Sequence, residues 1–186
     1  MALKSTVFKV ELQIADLDRN YYQTHALTLA RHPSETDERL MVRVLAFALC
    51  AADRLEFGKG LSTDDEPDLW RRDLTGAIEQ WIEVGLPDEK RLRRACGRAQ
   101  QVLAVTYGGR VADLWWEQNR AALRKLDKLA VIDLPADATQ TLAGLATRTM
   151  RLDCTVQEGE LLLVAGASAL RLTPTIRQGE RPGAEP

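Results

Sequence analysis

Cysteine is scarce in this chain: three in 186 residues, Cys50, Cys96 and Cys154. They are far apart, odd in number and never spaced as CxxC, which argues against a disulfide framework and against a zinc ribbon. Cys50 and Cys96 fall at apolar positions of helical patterns and read as buried free thiols. Histidine is scarcer still. His25 and His32 are seven apart in one extended segment, so they point to opposite faces and do not make a ligand pair. No run approaches 18 apolar residues, the length a spanning helix needs. The opening, Met-Ala-Leu-Lys-Ser, lacks the apolar stretch of a signal peptide. With free cysteines, that makes the cytoplasm the expected location and a membrane an unexpected partner. There is no GxSxG nucleophile elbow, no Walker glycine loop, no dinucleotide-binding glycine pattern and no internal repeat. An excess of one charge is also missing: 25 Lys and Arg stand against 27 Asp and Glu, a net charge of −2. This argues against a generally basic nucleic-acid binder but leaves room for a local basic patch.

What is present is a regular alternation of patterns. Thr6 to Ile14 (TVFKVELQI) is rich in β-branched residues, and Asp16 to Asn20 is loop chemistry. Tyr21 to His32 alternates, which predicts a long N-terminal hairpin. A helix over Tyr22 to Arg31 is the alternative, and the turn and the threonines favour the strand. Ser34 is placed to cap a helix from Glu35 to about Arg54, whose apolar residues recur at helical spacing. Further strands are predicted over Leu69–Asp73, Ala77–Gly85, Val102–Tyr107, Leu129–Leu134 and Ala169–Ile176. A hairpin is predicted around Glu158-Gly159. Helices are expected from Pro87-Asp88, from Arg110 to about Lys125, and over Ala138–Thr147. The fold class is α/β (α+β), one domain over residues 1–176, with a mixed β-sheet flanked by helices. The tail, residues 177–186, has almost no apolar content and is expected to be disordered.

The centre of interest is residues 64–94, DDEPDLWRRDLTGAIEQWIEVGLPDEKRLRR. A tight turn at Thr75-Gly76 sets Asp68 opposite Glu83; a turn one pair wider sets Glu66 there. Carboxylates facing each other across a hairpin repel unless they are solvated or a cation bridges them. Magnesium or manganese held by such acids can polarise a phosphodiester and activate water. A solvated, charged hairpin edge is the plainer reading of the same residues. The helix that follows carries Lys90, Arg91, Arg93, Arg94 and Arg98. It is either a phosphate-contacting face, through Arg91 and Arg94, or a balanced surface helix. Trp115-Trp116 reads as one core residue and one half-exposed residue, suited to packing or to an interface.

Several runs carry a family resemblance: IADLDRN near the start, LARHPSET, GLSTDDEPDLW, WIEVGLPDEKRL and WWEQNR. Together they resemble the YaeQ family of small bacterial proteins along nearly the whole chain. The resemblance implies a variation on the PD-(D/E)xK nuclease core. In that frame Asp68 supplies the first acid, with Glu66 as the alternative. Glu83 supplies the second acid and Glu38 the helix acid, together holding Mg²⁺ or Mn²⁺ without an organic cofactor. The lysine expected two residues after Glu83 is replaced by Gly85, and Lys90 would have to serve for it. Three roles stay open. The first is a degenerate site on a binding or interaction module, and the second an active metal-dependent nuclease catalysing through Glu83 and Lys90. The third is a plain interaction protein linked to transcription or RNA. Partners would be nucleic acid or a transcription-related protein, and the chain a monomer or weak oligomer.

Overall fold

The computed structural model describes residues 4–59 and 65–181. Chain order is β1 (Thr6–Asp16), β2 (Tyr21–Arg31), α1 (Asp37–Cys50), β3 (Leu55–Phe57), β4 (Leu69–Arg72), β5 (Ile78–Val84), α2 (Glu89–Arg98) and β6 (Ala99–Thr106). Then come α3 (Arg110–Leu123), β7 (Leu129–Asp133), α4 (Ala136–Ala143), β8 (Thr149–Gln157), β9 (Glu160–Ala165), β10 (Ser168–Leu172) and β11 (Thr175–Gln178). The strands form two mixed sheets where one was expected. One sheet has order β10-β9-β8-β1-β2 and the other β11-β7-β6-β5-β4-β3.

Periodicity explains the layers. On β1, Phe8, Val10, Leu12 and Ile14 are buried while Lys9, Glu11 and Gln13 are exposed, so the first sheet has one wet face. Helix α1 is buried without a break from Leu40 to Cys50. A helix apolar all round must be covered all round. It shares one core with the dry face of the first sheet, with α4, and with Leu69, Ile82, Val84, Leu103 and Ile132 of the second. The other face of the second sheet carries Trp81, Val102, Ala104 and Val131. These pack in a separate core with Leu92 and Ala95 of α2 and Trp116 and Leu123 of α3. Strands β5, β6 and β7 are parallel, in keeping with the apolar runs of β6 and β7, and α2 and α3 are their crossovers.

Several expectations are corrected. Helix α1 is capped by Thr36, whose hydroxyl accepts from Arg39 N at 3.1 Å; Ser34 bonds the His32 ring instead. The helix ends at Cys50 rather than Arg54, which adopts φ 66°. The three-residue β3 was not foreseen. The last strand is two: Pro174 cannot donate to a ladder, and the chain leaves the first sheet at Leu172 and enters the second at Thr175. The ordered chain also runs beyond residue 176. Arg177 pairs with Asp133 at 3.1 Å and also with Asp113, and Arg181 reaches Asp18 at 2.6 Å. Of the tail expected to be disordered, residues 182–186 lie outside the described residues.

Candidate functional site

The β4–β5 hairpin builds the site. Asp73 closes its turn by accepting from the amides of Thr75 and Ala77 and from the Thr75 hydroxyl, while Gly76 takes φ 91°. A register shift near Arg71/Arg72 is absorbed within the hairpin, and Leu69 then faces Ile82. Continuing that register brings Asp68 to Glu83. The amide of Asp68 donates to Ile82 O at 3.1 Å, and Asp68 Oδ2 accepts from the amide of Val84 at 2.8 Å.

Both acids are buried, Asp68 at 3% exposure and Glu83 at 4%. Each is met by an arginine from a different layer. Arg39 of α1 donates to Asp68 Oδ1 at 2.7 Å and to Val84 O at 3.2 Å. Arg91 of α2 donates from Nε to Glu83 Oε1 at 2.8 Å and from Nη2 to Glu66 O at 2.9 Å. The Trp81 indole also donates to Glu83 Oε1, at 2.6 Å. Burial pushes the Glu83 carboxyl above its ordinary range, and the nearby charge of Asp68 adds to this. The Trp81 and Arg91 contacts pull the other way.

The network extends into the core. Glu35 accepts from Arg39 at 3.0 Å and from Arg43 Nε at 2.8 Å. Arg43, 1% exposed, also donates to Ala30 O of β2 at 2.9 Å. Tyr107 lies within the field of Arg39, Glu38, Glu35 and Asp68, and burial is the main cause that raises its phenol.

The remaining expected residues are distributed as follows. Glu38 accepts from the Thr139 hydroxyl of α4 at 2.7 Å. The Glu66 carboxylate turns to Lys59, accepting from its amide at 3.1 Å. Lys90 and Arg94 are exposed, and neither side chain forms a hydrogen bond or ion pair among the described residues. Arg91 bonds Glu83 and Glu66 O, and its side chain is 26% exposed. Gly85 has φ 108°, and a Cβ built there would meet nothing within 4 Å. A lysine at this position would therefore be opposed by backbone conformation rather than by lack of space, at a cost of about 1–3 kcal/mol. Trp116 is buried, and Trp115 is half-buried with its indole donating to Pro87 O at 2.9 Å. Sequence reasoning overlooked Glu35, Arg39 and Arg43. Their i, i+4, i+8 spacing, from Glu35 just before the N-cap of α1 to Arg43 on its most apolar stretch, was the available signal.

A divalent ion does not fit this arrangement as it stands. Both oxygens of Asp68 are taken by N–H donors, and Glu83 carries an indole and a guanidinium. Among the described residues no group of three or more His, Cys, Asp or Glu is arranged to hold a metal ion. No described helix is long and apolar enough to cross a membrane.

Comparison with known proteins places this geometry in a family. The Escherichia coli (strain K12) protein described as "Uncharacterized protein YaeQ" is 43% identical over 178 residues, covering 96% of this chain and 98% of that protein. The Salmonella typhi protein of the same description matches to the same extent. The crystal structure of YaeQ protein from Xanthomonas axonopodis pv. citri superposes with a TM-score of 0.92 at 53% identity, over 95% of this chain and 99% of that one. That of Pseudomonas syringae gives 0.91 at 36% identity, over 95% and 98%. The family profile described as YaeQ protein matches residues 1–174, and the chain belongs to the YaeQ family.

Proposed function

We propose that this protein is a binding module whose acidic hairpin is structural rather than catalytic, and that its partner is a nucleic acid. One observation carries the reading: Asp68 and Glu83, the acids a PD-(D/E)xK-like site would present to a metal, are each held by an arginine guanidinium, at 2.7 and 2.8 Å. A guanidinium supplies the positive charge a cation would supply, but it cannot acidify a water. Gly85 and the outward Lys90 support the same reading, since neither places an ammonium beside the acids.

Partner chemistry follows from the outer helical layer. Helix α2 exposes Lys90, Arg93 and Arg94, and α3 with its following loop exposes Arg120, Arg124 and Lys125. Lys128 ties the two together by donating to Cys96 O and Ala99 O, both at 3.1 Å. Arginine is well matched to phosphate oxygens.

The test is an incubation of purified protein with labelled single- and double-stranded DNA and RNA, with magnesium or manganese. The expected result is retarded but intact nucleic acid. Metal-dependent cutting that disappears in Glu83→Ala would overturn the catalytic half of the proposal. Failure to bind any of the probes would overturn the partner half.

A further inference from the structure

Four strands edge the two sheets, and three of them are guarded against pairing with another chain. Strand β3 has three residues and includes Glu56. Strand β11 has four, with a register irregularity and Arg177. Strand β10 has five and includes Arg171. Short length, bulges and charge are the usual protections of a sheet edge. Strand β2 is neither short nor bulged, and its one charge, Arg31, is its last residue and is paired with Asp37. It runs eleven residues, YYQTHALTLAR, pairs with β1 without a register break, and holds no proline and no charge before its last residue. Among the described residues, the one hydrogen bond that reaches a β2 backbone group from outside its sheet is that of Arg43 to Ala30 O.

We infer that β2 is the self-association edge of this protein: two copies join β2 to β2 antiparallel about a two-fold axis at Ala26. The strand is complementary to itself in that register. Ala26 faces Ala26, Thr24 faces Thr28, and His25 faces Leu27. The single charge, Arg31, faces Tyr21. No like charges meet, and Thr–Thr pairs are among the favourable cross-strand pairs. The exposed face gives a second, independent argument. Val7 and Tyr22 are 51% and 60% exposed. Val7 lies beside Ala30 across the β1–β2 ladder. In the two-fold register the second copy's Tyr22 lies on the other side of the same Ala30. The row then reads Val7, Ala30, Tyr22, with the ring covering the small alanine and reaching toward the valine. The joined sheet has ten strands, and the contact is isologous, so it closes at two copies. A peptide adding to the same edge would use the same backbone groups but would gain nothing from this internal symmetry.

The inference is independent of the reading of the acidic pair, and its test uses sedimentation velocity rather than nucleic acid. The wild-type chain should pass from monomer to dimer within about 1–500 µM, because a dimer population depends on protomer concentration. Ala26 is exposed, so Ala26→Lys should fold, as circular dichroism will verify. It sets two ammonium groups opposite one another at the axis and should weaken the dimer at least about tenfold. Ala26→Glu should do the same. An equimolar mixture of the two variants should recover the dimer, because each lysine then meets a glutamate. Ala26→Cys should cross-link under mild oxidation, since directly opposed Cα atoms lie about 4.5–5.5 Å apart, within disulfide reach. Tyr22→Cys should not cross-link, because it faces Ala30. The inference is overturned by a wild-type monomer throughout the range. It is equally overturned by a dimer indifferent to Ala26→Lys, or by a mixture that stays monomeric.

Discussion

At the scale of single residues, Glu83 is the most informative side chain. Its carboxyl is raised above the ordinary range chiefly by burial and then by Asp68, despite Trp81 and Arg91. A raised carboxyl favours the folded state when protonated. Its contribution is complete below the ordinary glutamate range and is lost as pH climbs through the raised value. Glu83→Gln keeps an acceptor for the indole but does not titrate. Measured by urea unfolding from about pH 4 to 8, the variant should therefore gain stability relative to the wild type as pH rises. A flat difference would mean that Trp81 and Arg91 balance burial at this site, and one that runs the other way that they outweigh it. Gly85, two residues on, shows why the absent lysine is a backbone matter. With φ 108° the position suits glycine, and replacing it would strain the strand end that holds Asp68.

At the scale of elements, α1 joins the two sheets and carries its own ion pairs into the core. Arg43 is among the largest fully buried side chains. Removing one partner of a buried pair strands the other's charge, typically at about 3–5 kcal/mol. Glu35 keeps Arg39, so Arg43→Met should cost near the lower end, about 3 kcal/mol by urea unfolding. Adding Glu35→Gln should recover part of that loss, because the half-paired buried carboxylate is then gone while Arg39 keeps Asp68. Equal additive losses would show that Arg43 acts through packing alone. Element identity was largely legible in the sequence, because period 2 survives in β1 and period 3.6 in α2, while length separates the apolar run of α1 from the shorter ones of β6 and β7. Asp88 caps α2 as its position suggests, accepting from Arg91 N at 2.7 Å. Sheet membership was not legible. The partition of the strands into two sheets depends on a pairing more than a hundred residues apart, β1 with β8, and the crossing at Pro174 on the pairing of β11 with β7, Thr175 opposite Asp133. In the candidate site, a two-residue turn at Thr75-Gly76 was expected to set Asp68 opposite Glu83; the loop instead spans Leu74 to Gly76, with Asp73 paired to Ala77, and the register shift next to Arg71 and Arg72 restores the facing. The partners of the two acids were not legible. Arg91 reads as a phosphate-contacting or surface charge and Arg39 was overlooked; tertiary packing alone sets each against its acid.

At the scale of the whole molecule, charge is divided unevenly. Residues 89–128, which include the outer layer of α2 and α3, contain ten basic and four acidic residues; the rest of the chain has fifteen against twenty-three. A net charge of −2 thus hides a positive layer on an otherwise negative body. Such a layer should bind a phosphate backbone by releasing counterions, and each contacted phosphate adds about 0.9 to the slope of log K against log salt for duplex DNA. Replacing Arg94, Arg124 and Lys125 by glutamine removes three exposed charges from the layer. If all three touch phosphates, the slope measured by fluorescence anisotropy on a short duplex should fall by about 2–3, with affinity weakened at every salt concentration. An equal loss of charge at Lys9, Arg151 and Arg171, on exposed positions of the other sheet, is the control. It should leave the slope unchanged, because counterion release depends on local contacts and not on net charge. Equal effects from both triple variants would mean that attraction is a diffuse property of the chain, and that α2 and α3 form no docking face.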